Sequence, residues 1–111
     1  MTIDSKSDFF TVNVLFRSLR NGKLLPENLW EESIILIKAS SAEEALAKAT
    51  QLVRDRRISY QVENGDQLDW EFSQVVQAFQ IDAQQLMNGT ELFSRHLRTS
   101  EVESLLRPFD D

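Results

Sequence analysis

Phe10, Val12, Val14 and Phe16 recur at every second position, with Thr11, Asn13 and Arg17 pointing the other way. A period of two puts one apolar face on an extended strand. The same alternation returns in Ile58, Tyr60 and Val62 and again in Leu68, Trp70 and Phe72. Against these strands stands one long stretch at helical spacing: Ala42, Ala45, Leu46, Ala49, Leu52 and Val53, with Glu43, Glu44, Lys48, Gln51 and Asp55 on its wetter side. Half-apolar strands and a single amphipathic helix bury their apolar faces together when the helix lies on one face of a sheet.

The punctuation between these runs sets the order of elements. Asn21-Gly22 supplies turn chemistry after the first strand, and Pro26 disfavours helix in the residue before it. A second strand is expected from about Trp30 to Lys38. It carries Ile34 and Leu36 on one face and Ile35 and Ile37 on the other, the pattern of a central strand buried on both sides. Ser40-Ser41-Ala42-Glu43-Glu44 then offers two overlapping capping boxes for the helix. Arg54, Arg56 and Arg57 fall in or just after its last turn, where cations complement the helix dipole.

The hairpin between Ile58 and Phe72 can be resolved to its register. A two-residue Asn64-Gly65 loop would set Ile58, Tyr60 and Val62 opposite Gln67, Asp69 and Glu71, on the wrong face. A three-residue loop of Glu63, Asn64 and Gly65, with Gly65 left-handed, brings Tyr60 opposite Leu68 and Ile58 opposite Trp70. From Phe72 to Ile81 two patterns compete. Phe72, Val75, Val76 and Phe79 fit a helical stripe, whereas Val75, Phe79 and Ile81 fit an interrupted strand, and a strand bulged near Ser73 is the reading adopted. After the Asn88-Gly89 turn, Thr90 to Arg98 reads as a fifth strand, and Ser100-Glu101-Val102-Glu103 caps a short helix that stops before Pro108. The expected fold is α+β: a mainly antiparallel sheet of about five strands in the order ββαβββα, one long helix on one face, and a short C-terminal helix. Residues 8–109 form a single domain in this reading, and 1–7 a flexible tail.

Composition narrows the function classes. The 111 residues are long enough for one self-sufficient core, and 41% hydrophobic content with three glycines and two prolines is ordinary for a globular domain. Eighteen acidic against twelve basic residues leave a formal charge of −6, which repels phosphate backbones and anionic lipid, so neither nucleic acid nor membrane is an expected partner. The absence of cysteine excludes disulfides, thiol nucleophiles and thiolate zinc sites. Met1 to Ser5 lack a basic or apolar leader pattern, so the cytoplasm is the expected location, and Asn88-Gly89-Thr90 reads as a turn rather than a glycosylation site. The three glycines are isolated turn residues and form no phosphate loop, so no cofactor is expected.

Four passages carry a resemblance: Val12-Asn13-Val14-Leu15-Phe16; Ile37-Lys38-Ala39-Ser40-Ser41-Ala42-Glu43-Glu44-Ala45; Asn64-Gly65-Asp66-Gln67-Leu68-Asp69-Trp70-Glu71-Phe72; and Gly89-Thr90-Glu91-Leu92-Phe93-Ser94-Arg95. In this order they resemble an uncharacterised bacterial family catalogued as a domain of unknown function, number 4288. The resemblance implies a compact sheet-and-helix domain. It implies no activity, and no site residues carry over from it.

The chemistry-bearing residues are few. Asp69 and Glu71 share a strand face, and with Glu31 they would form an acid/base pair if their strands adjoined, although alternating acids also suit a solvated sheet face. His96 is the single histidine and would need a partner such as Ser94 or a carboxylate to act in catalysis. Glu63-Asn64-Gly65-Asp66 lacks the ligand spacing of a calcium loop, and no metal site is expected. Arg54, Arg56 and Arg57 could join Arg17 and Arg20 in a basic patch, but Asp55 interrupts the run. The surplus is hydrophobic: Ile35, Ile37, Leu15 and Phe93 are expected on the sheet face away from the helix, covered by Val102, Leu105, Leu106 and Phe109 of the C-terminal helix or by a partner. The leading expectation is therefore a binding or protein-interaction module, with a protein partner or a homodimer through those residues. The alternative is a small enzyme or ligand-binding domain using Asp69, Glu71 and His96.

Overall fold

A computed structural model describes residues 8–25, 29–82 and 86–107. The expected tail at 1–7, and Pro108 and Phe109, lie outside the described residues. Among the described residues four strands and two helices follow in chain order: β1 (Asp8–Arg20), β2 (Trp30–Ala39), α1 (Ala42–Val53), β3 (Arg57–Gln61), β4 (Gln67–Ile81) and α2 (Thr99–Leu106). The sheet is antiparallel with the order β2-β1-β4-β3.

This order corrects one expectation directly. The strand buried on both faces is β1, whose residues Phe10 to Val14 are all buried, while β2 stands at an edge. Even-numbered residues of β1 face α1, and Phe10, Val12, Val14 and Phe16 form the core with Ala45, Ala49 and Val53 of the helix. Ala45 and Ala49 bring the helix close to the sheet because they carry no side chain beyond Cβ. The helix has 12 residues, about 18 Å, shorter than the long helix expected, and Leu52 lies outside its buried stripe. Its start takes one half of the second capping box: Ser41 Oγ accepts from the Glu44 amide at 3.1 Å, while the Glu44 carboxylate reaches past Ser41 to accept from the Ser40 amide at 2.6 Å and from Ser40 Oγ at 3.0 Å. Those Ser40 hydrogen bonds hold the Glu44 carboxyl below the usual carboxylate range.

The hairpin has the expected register, with Tyr60 opposite Leu68 and Ile58 opposite Trp70. The Val62 amide donates to Asp66 O, and Gly65 sits at φ +92°. The ambiguous segment is strand. β4 carries two register shifts against β1, one skipping Ser73 and one skipping Val76. Each bulge adds one residue, so Phe72, Val75 and Ala78, three apart in sequence, all pack toward the core.

Among the described residues there is no fifth strand. Thr90 to Arg98 is not part of any ladder; it lies over the face of the sheet away from α1. Thr11 Oγ1 donates to Leu92 O at 2.7 Å, and Phe93 meets Phe79 edge-to-face at 6.1 Å. The Leu92 side chain is 51% exposed; the segment anchors through its carbonyl and through the Phe93 ring rather than through a ladder. The terminal helix begins at Thr99, with the Glu101 carboxylate accepting from the Arg98 amide at 2.7 Å, earlier than the Ser100 cap expected. None of its residues is buried. No helix among the described residues is long and apolar enough to cross a membrane.

Candidate functional site: the open edge of the sheet

Asp69 and Glu71 share a face as expected, but the sheet itself separates them from Glu31. Cross-strand pairs share a face, so Glu31, paired with Phe16, lies on the helix side, while Glu71 and Asp69, paired with Arg17 and Leu19, lie on the other. Glu71 is taken up by two cations, Arg17 Nε at 2.7 Å and Arg57 Nη1 at 3.4 Å. Asp69 accepts from Ser59 Oγ and from Gln67 Nε2. His96 is exposed and makes no hydrogen bond or ion pair to a described residue. Among the described residues no three His, Cys, Asp or Glu side chains are grouped to hold a metal ion.

The arginines are likewise distributed among acids. Arg20 binds Asp66 at 2.8 Å, and Arg17 and Arg57 share Glu71. Asp66 also accepts from Asn21 Nδ2, and these hydrogen bonds from Asn21 and Arg20 keep its carboxyl below the usual range. The cluster ties the β1–β2 turn to the β3–β4 loop, since the Asn21 amide also donates to Gln67 O and the Gln67 amide to Asn21 Oδ1. Beside α1, a cleft of about 110 Å³ is lined by Phe16, Glu31, Ser33, Arg56, Ile58 and Trp70. That is below the several hundred Å³ of a typical small-molecule site.

The interface expected from sequence also divides. Ile35 and Ile37 face the helix; Ile37 is buried and Ile35 packs against the core. Leu15 is half-buried on the other face, opposite Glu32, and Phe93 is occupied with Phe79. The exposed apolar residues of β2 are those of the opposite parity, Trp30 (51% exposed), Ile34 (51%) and Leu36 (57%), interleaved with Glu32 and Lys38.

Backbone hydrogen bonding explains why these positions matter together. Leu29 O accepts from the Ser18 amide of β1, in register with the ladder. Backbone groups alternate in direction along a strand, so Ser33, Ile35 and Ile37 turn theirs toward β1, and Trp30, Glu32, Ile34, Leu36 and Lys38 turn theirs outward. The Lys48 side chain agrees with this assignment: its ammonium donates to Lys38 O at 2.9 Å. Among the described residues, β1 is the only strand paired with β2. The outer edge of β2 thus combines open main-chain donors and acceptors with an exposed apolar pair, Ile34 and Leu36. Asn13, 1% exposed, supports this edge from beneath, donating through Nδ2 to Glu32 Oε2 at 2.9 Å.

Sequence reasoning missed this site because edge position depends on strand order, which no local pattern encodes. The available signal was the composition of the even-numbered face alone, Trp30, Glu32, Ile34, Leu36 and Lys38, which is apolar in the middle and charged on either side.

The chain belongs to the family described as "Domain of unknown function (DUF4288)", whose profile matches residues 9–94. The match runs from Phe9 to Ser94, taking in all of β1 but Asp8, the other three strands and α1. No curated protein and no solved structure matches the chain.

Proposed function

We propose that this member of the DUF4288 family is a non-enzymatic interaction module that binds another polypeptide by extending its sheet along β2. One observation carries the reading: a 10-residue edge strand whose outward backbone groups coincide with exposed Ile34 and Leu36. Long apolar edges are uncommon in monomeric proteins because they pair readily with other strands. Strand addition uses such an edge, with main-chain hydrogen bonds giving affinity and alternate side chains giving specificity. The acidic face with His96 supports no competing enzymatic reading, since Glu71 pairs across strands with Arg17, Asp69 with Ser59, and Glu31 is on the opposite side.

The test is affinity capture with the wild-type chain and with Leu36→Lys, which alters an exposed side chain and leaves the core untouched. A bound polypeptide retained by wild type and lost by the variant is expected. Capture that ignores the substitution would refute the edge as the binding site.

A further inference from the structure

From the pattern of charge along β2, we infer that the polypeptide this edge accepts is a second copy of the same strand, antiparallel, across a twofold axis at Ile35. The inference rests on the reading of β2 as a docking edge and names its occupant. The outward-bonding residues are Trp30, Glu32, Ile34, Leu36 and Lys38, all even-numbered, so a hydrogen-bonded ladder must pair even with even. With the axis at Ile35, Ile34 meets Leu36 of the second copy and Glu32 meets its Lys38, each contact occurring twice. Moving the axis to Ser33 or Ile34 sets Glu32 against Ile34 or Leu36, and moving it to Leu36 sets Lys38 against Ile34. Only the Ile35 register matches apolar with apolar and acid with base at all four central positions.

Glu32 and Lys38 cannot satisfy one another within a chain. Six residues of extended strand separate them by roughly 20 Å. Each is instead held on the face where its counterpart would arrive: Glu32 by Asn13, and Lys38 with its ammonium 6.0 Å from the Phe9 ring centre. On the helix side, half-buried Ile35 would meet Ile35 of the second copy, closing the remaining gap beside the core. The pairing joins two four-stranded sheets into one of eight strands. Its outermost rung competes with the Lys48 ammonium on Lys38 O, so the central Ile34 and Leu36 rungs carry the contact. An edge-to-edge interface of this length falls below about 1,200 Å², the range of weak and reversible association. The dimer therefore dissociates on dilution.

The chain has no cysteine, which allows a register-specific test. Across the proposed axis the two copies of residue 35 form a pair without mutual hydrogen bonds, with Cα atoms about 4.5 Å apart, inside the range a disulfide spans. Two copies of residue 33 would stand roughly 14 Å apart. Under mild oxidation Ile35→Cys is expected to form a covalent dimer at least tenfold faster than Ser33→Cys. Sedimentation velocity over a concentration series is expected to show a reversible dimer for wild type and a monomer for Leu36→Lys. Because Ile35→Cys touches the core, an exposed variant gives a second reading. Lys38→Glu should weaken the dimer about tenfold through two like-charge contacts, and adding Glu32→Lys should restore it. Equal crosslinking at positions 33 and 35, or a dimer indifferent to both Leu36→Lys and Lys38→Glu, would overturn the inference. A chain that stays monomeric at every concentration would also overturn it. If that monomer still captures a polypeptide that Leu36→Lys loses, the docking edge stands without self-pairing; if neither occurs, both fail.

Discussion

Truncating Val75 and Val76 in turn tests the two bulges of β4 more sharply than any other pair of substitutions. Plain alternation from Phe72 puts Val76 on the core face and Val75 on the far side. The bulges at Ser73 and Val76 reverse this: Val75 stands opposite Val14 and packs against the core, while Val76 is 48% exposed. Valine to alanine removes two methyl groups, about 1.6 kcal/mol of transfer free energy at full burial. A partly collapsed cavity adds up to about 1 kcal/mol. Val75 is only partly buried, so the transfer loss is about 1–1.5 kcal/mol, and with the cavity term the total is about 1–2.5 kcal/mol. For Val76 the exposed half contributes nothing and no cavity forms, leaving at most about 0.8 kcal/mol. Urea denaturation followed by tryptophan fluorescence should separate the two variants by about 1 kcal/mol, or several degrees in Tm. Equal costs, or a larger cost at Val76, would show that β4 runs without its bulges.

Two further predictions concern the helix start and the loop cluster. Ser41→Ala should cost about 1 kcal/mol by removing the acceptor of the Glu44 amide, read as a lower midpoint in the same denaturation experiment. The Asp66 carboxyl has a lower pKa folded than unfolded, so the native state binds fewer protons there. The stability it contributes is complete above the unfolded value, about 3.9, and is lost as pH falls through the folded one. Asp66→Asn should flatten the acid limb of a stability profile below about pH 4, whereas an unchanged limb would place the acid sensitivity elsewhere.

What the sequence made legible was local. The hairpin loop could be chosen because a one-residue change in loop length moves Ile58 and Tyr60 to the wrong face, and Ser41 could be placed because a cap and its glutamate are three residues apart. Strand order was not legible. Ile34-Ile35-Leu36-Ile37 reads as a strand buried on both sides, yet β2 lies at the edge and two of the four remain exposed. Position in a sheet is decided by which long strands pair, here β1 with β4, and the run of four apolar residues records something else: one pair for the core and one pair for the open edge. Thr90 to Arg98 misled for a related reason. Its apolar residues have a docking partner, but that partner is the face carrying Thr11 and Phe79 rather than a strand edge.

The C-terminal helix supplies the rival surface against which the edge must be judged. Leu105 and Leu106 of α2 are 63% and 78% exposed, more open than Ile34 or Leu36. Exposure alone would favour them. An 8-residue helix, however, is about 12 Å long and too short to be stable from its own hydrogen bonds. Its contacts with a partner would have to offset the cost of holding it in place. The edge strand is already rigid, anchored along its full length by β1, and offers main-chain groups that α2 spends on itself. Leu106→Asp is therefore expected to leave the sedimentation profile and the Ile35→Cys crosslinking rate unchanged. A monomer produced by Leu106→Asp, with Leu36→Lys still dimeric, would move the interface from the strand to the helix.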